Sequence, residues 1–310
     1  MHIPDGFLDA KTALAAAGLS AAGLGAALRQ ARLHMPRQSV PMMGLAAAFV
    51  FAAQMLNFPV AAGTSGHLMG AVLVAVLLGP SAAVIVLSTV LIVQCLLFAD
   101  GGISALGANI FNMALVGSVG GYGVYAAVHR VCAGERGRLA AAAFASWCAT
   151  VLAATCCAGE LAWSGTAPWS AAFPAMAGVH MFVGLGEAVI TAMVIAALDR
   201  SGFADSRAGL SPGQEGLLVY GFLLALGLAL FVGPFASPWP DGLDKTASLL
   251  GFEHRAAALP APLAGYQVPG ISSAAAATAL AGAAGTVVVS FCSWWLASLL
   301  APARTEESQR

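Results

Sequence analysis

The sequence predicts an all-α, polytopic membrane bundle of about nine helices, on three observations. Of 310 residues, 59% are hydrophobic and only 9% are charged, against about a quarter charged in a soluble domain. The apolar residues gather in runs of spanning length. Thirty-six glycines and abundant alanine favour the close helix packing that membranes tolerate. A soluble enzyme of this length is excluded, because 13 basic and 14 acidic residues cannot solvate its surface. The net charge of −1 and the lack of a long basic run argue against a nucleic-acid partner.

In chain order the apolar segments are 12–28, 41–58, 67–79, 82–98, 105–128, 139–158, 174–197, 216–234 and 276–300. The opening MHIPDGFLDAK carries Asp5 and Asp9 without a basic leader, so it does not read as a cleavable signal. The third segment is short and joins the fourth through Gly79–Ala82, which predicts a kinked or tilted pair or a tight hairpin. Ten of the thirteen Lys and Arg fall on one side if the N-terminus is outside: Arg29, Arg32, Arg37, Arg130, Arg136, Arg138, Arg200, Arg207, Arg304 and Arg310. Only Lys11, Lys245 and Arg255 fall on the other. This bias predicts an external N-terminus and a cytoplasmic C-terminus.

The polar stretch RSGFADSRAGLSPGQE marks a boundary. It divides a domain over 1–198, with about seven helices and an inserted N-terminal segment, from a cytoplasmic linker at 199–215 and a two-helix part over 216–310. The outer loop 235–275 of that part is rich in proline, with one short helix expected from Asp241 to Phe252, capped by Asp241 or Asp244. The six cysteines lack ligand spacing and read as small buried apolar side chains. Neither GGISALG nor GSVGGYG has the strand and lysine of a phosphate loop, so ATP-driven transport would need another polypeptide for hydrolysis. No HExxH helix occurs, and the chain reads as a non-enzyme.

Few polar residues remain, and Met1–His2 is the sharpest feature. A free amine, the next peptide nitrogen and an imidazole on consecutive residues can close two fused chelate rings, placing three nitrogens in one plane. That geometry suits Ni(II) or Cu(II) and is available to Co(II). Otherwise His2 is an unstructured terminal residue. Ile3, Pro4, Gly6, Phe7 and Leu8 form an apolar continuation able to fold back on the bundle. His67, expected to open the third helix on the same outer side, is the candidate fourth ligand or else a helix cap. Thr64 and Ser65 are candidate hydrogen-bonding support for its ring. Asn109 and Asn112, with Asn57, Gln94, His180 and Glu187, are costly in hydrocarbon and should face the interior, lining a site or binding helices together. Glu160 is expected to begin an outer loop as a surface charge. His34 and His129 read as interfacial.

MHIPDGFL, GTSGHLMGAVLVAVLLGP, GGISALGANIFNMA and VHMFVGLGEAVIT, in that order, resemble the substrate-capture membrane component of energy-coupling factor nickel and cobalt transporters. SPWPDGLDKTASLLGF and PLAGYQVPG resemble their small PDGLE-type accessory component. Its motif reads here Pro240, Asp241, Gly242, Leu243, Asp244, with Asp for the final Glu. The resemblance implies metal ligands at Met1, His2 and His67, and a cavity or supporting role for Asn109, Asn112, His180 and Glu187. It also implies a transmembrane coupling subunit, ATP-binding subunits, a bacterial inner-membrane location, and Ni2+ as transported substrate with Co2+ as the alternative. The fused accessory part favours nickel. A stand-alone secondary metal permease is the competing transporter, although matching inverted halves are not evident.

Overall fold

The computed structural model describes residues 1–61, 63–201, 215–257 and 260–301. Helices dominate: α1 (Ala10–His34), α2 (Ser39–Gln54), α3 (Ala71–Leu78), α4 (Pro80–Phe98), α5 (Leu106–Val131), α6 (Gly134–Trp163), α7 (Trp169–Arg200), α8 (Gly216–Phe235), α9 (Gly242–Leu250) and α10 (Ala274–Leu300). Seven of them are long and apolar enough to cross a membrane: α1, α4, α5, α6, α7, α8 and α10. Helix α2 is apolar but has 16 residues. The strands are a two-residue hairpin, Phe58–Pro59 against Ser65–Gly66, and a single bridge between Asp5 and Ala257.

Small residues let the helices approach. Along α6, Ala141, Ala145, Ala149, Ala153 and Cys157 are buried, and Gly184 of α7 lies so close to Trp147 that a Cβ would stand 2.9 Å from its ring. Leu185, Val189, Met193, Leu223 and Phe231 are instead exposed, the large side chains a lipid-facing surface requires. The accessory helix α10 packs on α2, where Ser293 donates to the Met43 carbonyl at 3.1 Å. All six cysteines are unpaired.

The third apolar segment is the main departure from expectation. His67 does not open a helix. It lies in an extended stretch, and α3 begins four residues later and has only eight residues, about 12 Å of rise. Glycine at 79, with φ of 90°, then turns the chain directly into α4 with Pro80 as its first residue. The N-terminus of α3 is thus buried, and Glu187 satisfies it: its carboxylate accepts from Met69 N at 2.6 Å and Gly70 N at 2.8 Å. An anion at a helix N-terminus suits both the free amides and the dipole.

Glu160 is likewise not at the start of an outer loop. Helix α6 runs on to Trp163, so Glu160 is 9% exposed and accepts from Asn112 Nδ2 at 2.7 Å. The expected short accessory helix forms over Gly242–Leu250 with Asp241 as its cap, accepting from Leu243 N and Asp244 N at 2.8 Å each. Most of the 199–215 linker, with Arg207, and the tail with Arg304 and Arg310 lie outside the described residues.

Candidate metal centre

The first nine residues are not a loose end. Ile3 and Phe7 are fully buried and Met1 is 8% exposed. Asn109 grips the Ile3 backbone twice: its Oδ1 accepts from Ile3 N at 2.8 Å and its Nδ2 donates to Ile3 O at 3.1 Å. Gly102 N donates to the same carbonyl at 2.9 Å. Asp5 accepts from Ile103 N at 3.0 Å and Ser104 N at 2.7 Å and takes a short bond from the Ser104 hydroxyl. Thr166 Oγ1 donates to Phe7 O at 2.5 Å.

From the other side the accessory loop closes over this segment. Ala257 N donates to Asp5 O at 2.9 Å, and Phe7 meets Phe252 edge-on at 5.0 Å. Gly6, at φ 90°, lies so close to the Arg255 carbonyl that no side chain fits between them. Ser65 ties the loop to the His67 segment: its N donates to Pro240 O at 2.9 Å and its hydroxyl to Trp239 O at 2.7 Å. Ser65 therefore anchors the accessory motif and does not bond the His67 ring. Thr64 is buried in the hairpin turn, with its carbonyl accepting from Val60 N at 2.9 Å.

The Met1 amine sits where these elements converge, 2.7 Å from His67 Nε2 and 2.9 Å from Asp241 Oδ2. His67 Nδ1 faces the Leu68 carbonyl at 3.2 Å, and the His2 ring stacks on His67 with centroids 5.2 Å apart. Burial holds His67 well below the usual histidine range, reinforced by the Met1 ammonium and His2, so this ring is neutral at neutral pH and its Nε2 accepts from the Met1 amine. Burial alone would raise the Asp241 carboxyl, but the Met1 ammonium and the Asp244 amide hold it below the carboxylate range. Burial and Asp241 push Asp244 up to about 6.

A chain of hydrogen bonds fixes the His2 ring. Asp100 Oδ2 accepts a hydrogen bond from the Tyr266 hydroxyl at 2.6 Å, and the Tyr266 oxygen accepts from Gln94 Nε2 at 3.3 Å. Gln94 Oε1 lies 3.2 Å from His2 Nε2, and Nδ1 of the same ring faces Asp100 Oδ1, also 3.2 Å away, so both ring nitrogens are held in place. Burial lowers the His2 ring's affinity for a second proton more than Asp100 restores it. Tyr266 stacks on Phe98 at 4.8 Å and belongs to the accessory loop, which therefore orients a residue at the opposite end of the chain.

His180 is 3% exposed, with Nδ1 2.7 Å from the Met176 carbonyl. It lines a cavity of about 20 Å³ beside Met1, His67, Asp241 and Gly242, room for roughly one water. Gly242 abuts its ring, since a Cβ there would stand 2.5 Å from His180 Cε1. Asn112 and Glu187 serve helix contacts instead, and Leu243 is buried under α9. Asp100, Gln94 and Tyr266 escaped the sequence-based site. Only the cost of Gln94 in an apolar helix hinted at one of them. No three His, Cys, Asp or Glu side chains among the described residues form a metal-holding group.

Residues 2–203 match the family model described as the cobalt uptake substrate-specific transmembrane region, CbiM, and residues 215–302 match the PDGLE domain. NikMN of Archaeoglobus fulgidus is 37% identical over 294 residues, covering 93% of this chain and 95% of the relative. The fused nickel transport protein NikMN of Rhodobacter capsulatus is 38% identical over 216 residues, 65% of this chain and 62% of the relative. The cobalt transport protein CbiM of Thermosediminibacter oceani is 48% identical over 90 residues, 29% and 37% respectively. Among solved structures, a truncated transition metal transporter superposes with a TM-score of 0.59 at 34% identity, over 65% of this chain and 99% of that one. The chain belongs to the CbiM family of substrate-specific transmembrane uptake components, is fused to a PDGLE domain, and is a non-catalytic, multi-pass component of metal uptake.

Proposed function

We propose that the chain captures Ni(II) at its outer face through the Met1 amine, the His2 amide and ring, and the His67 ring. It then passes the ion inward as part of an ATP-driven energy-coupling factor transporter. The observation that carries this reading is the 2.7 Å separation of Met1 N and His67 Nε2. Two neighbouring nitrogens each about 2 Å from a planar metal stand about 2.8 Å apart, so both already occupy adjacent corners of a square. Loss of the amine and amide protons and release of His2 Nδ1 from Asp100 complete four nitrogens. Thiolate- and carboxylate-rich sets favour other ions, while an all-nitrogen plane suits Ni(II) better than high-spin Co(II). The names of the fused relatives point the same way, and Co(II) is the alternative cargo.

The site end of the bundle faces outward in this reading. Arg29, Arg32, Arg37, Arg130, Arg136, Arg138 and Arg200 all lie towards the opposite helix ends, as cytoplasmic positive charge would require. Nine crossings follow if α2 and the broken α3 are counted with the seven long helices. The chain divides into a capture domain over 1–198, a linker over 199–215 and an accessory domain over 216–310. A transmembrane coupling subunit and ATP-binding subunits supply the energy, in an inner membrane of bacterial type.

The test is binding of Ni(II) and Co(II) to purified full-length protein with its native free amine, beside His2→Ala, His67→Ala and a short N-terminal extension. Each change should abolish tight binding, and unchanged affinity in all three would sink the nitrogen site. Uptake in cells with and without ATP-binding subunits separates the coupled transporter from a stand-alone permease.

A further inference from the structure

A second, larger cavity of about 250 Å³ opens beside the nitrogen donors, walled by both parts of the chain. Its polar lining differs from that of the nitrogen site. Asp100, Asp241 and Asp244 supply three carboxylates, and Gln54 and Asn57 add amides, while His2 and His67 form the wall shared with the donors. No Lys or Arg lines it. Gln54 is 2% exposed; its Nε2 donates to the Met69 carbonyl at 3.0 Å, and its Oε1 is buried without a hydrogen-bond partner. A buried amide oxygen left unbonded costs about 1–3 kcal/mol, and beside a carboxylate-lined cavity it is an acceptor awaiting a donor or a cation.

The size admits a hydrated ion. A divalent ion with six waters needs about 180 Å³ at roughly 30 Å³ per water, which this cavity holds and the neighbouring 20 Å³ cavity does not. Waters bound to a dication are strong donors, and carboxylates with an amide oxygen are matching acceptors. We propose that this cavity is an antechamber that binds the hydrated divalent cation through its waters, on Asp244, Asp100 and Gln54, before the ion sheds them onto the nitrogen donors. This inference rests on the metal-capture reading of the adjoining site. It gives the accessory domain a chemical role: Asp244, the last residue of its motif, adds charge beside Asp100 of the capture domain.

The experiment uses full-length protein with a free N-terminus at low ionic strength. The probe is hexaamminecobalt(III), an exchange-inert ion of similar size that can bind only through its outer ligands. It should bind the wild type and slow Ni(II) capture. Asp244→Asn and, separately, Gln54→Leu should weaken that binding about tenfold and slow Ni(II) association by a similar factor, with equilibrium nickel stoichiometry kept. Asp244→Glu should restore both. Failure of the probe to bind wild type, or binding to the two variants as tight as to wild type, overturns the antechamber. In His67→Ala the probe should still bind. If nickel binding survived there while the probe kept its dependence on Asp244, the nitrogen site would fall and the antechamber would stand.

Discussion

Two segments far apart in sequence meet at the metal centre from opposite sides, and they do different things. Residues 1–9 bring nitrogen atoms and are fixed through their backbone by Asn109, Gly102 and Thr166 of the capture domain. The accessory loop brings oxygen: Asp241 pairs with the Met1 amine, and Tyr266 begins the chain that orients His2. A backbone grip suits donors that are themselves main-chain nitrogens, because side-chain substitution cannot move them. Side-chain oxygens suit orientation and charge, which can be adjusted without rebuilding the site. In the proposed site the accessory domain therefore tunes and encloses a centre whose nitrogen donors lie wholly in the other domain.

That division can be broken. The largest effect should come from the donor side: a two-residue N-terminal extension should lower Ni(II) affinity more than about 100-fold, read by calorimetry on full-length protein. Retained affinity would move the donors elsewhere. Next, Asn109→Ala leaves the buried Ile3 N–H without its acceptor, at about 1–3 kcal/mol, while the Ile3 carbonyl keeps only Gly102 N. Affinity should fall about 10- to 100-fold although all four nitrogens remain, and equilibrium dialysis would detect it. On the orienting side, Tyr266→Phe keeps the stacking on Phe98 but removes the hydroxyl that directs Gln94. A loss nearer tenfold is expected, and a loss as large as that of the extension would erase the distinction. The smallest effect on binding should be that of Gly242→Ala, which drives a methyl against His180. It should lower thermal stability in detergent by about 1–3 kcal/mol, with nickel affinity changing less than in the other three variants.

The helices were legible because their signal is local. A run of apolar residues at 82–98 becomes α4 almost to the residue, and the apolar segment 174–197 lies within α7, which ends at Arg200. The third segment misled because composition alone cannot tell an extended buried strand from a helix. What separates them is Glu187, 117 residues from Gly70, which caps α3 deep in the bundle. Glu160 misled for a related reason: Asn112, 48 residues away, makes burial of its carboxylate tolerable and lets α6 continue past it.

The sequence by itself determined a polytopic bundle, the chelating capacity of Met1 and His2, and the placing of His67 on the same face, where it meets the Met1 amine. Amine, amide and imidazole on adjacent residues are chelating through covalent geometry, whatever the fold. Tertiary structure alone decided that Asp241 faces the amine, that Asp100 and Gln94 flank the two nitrogens of the His2 ring, and that three carboxylates and Gln54 share one cavity. Tyr266 and Asp100 are 166 residues apart. Such pairs carry no periodicity or spacing, because a buried polar group is satisfied by whatever the packing of distant helices brings within about 3 Å.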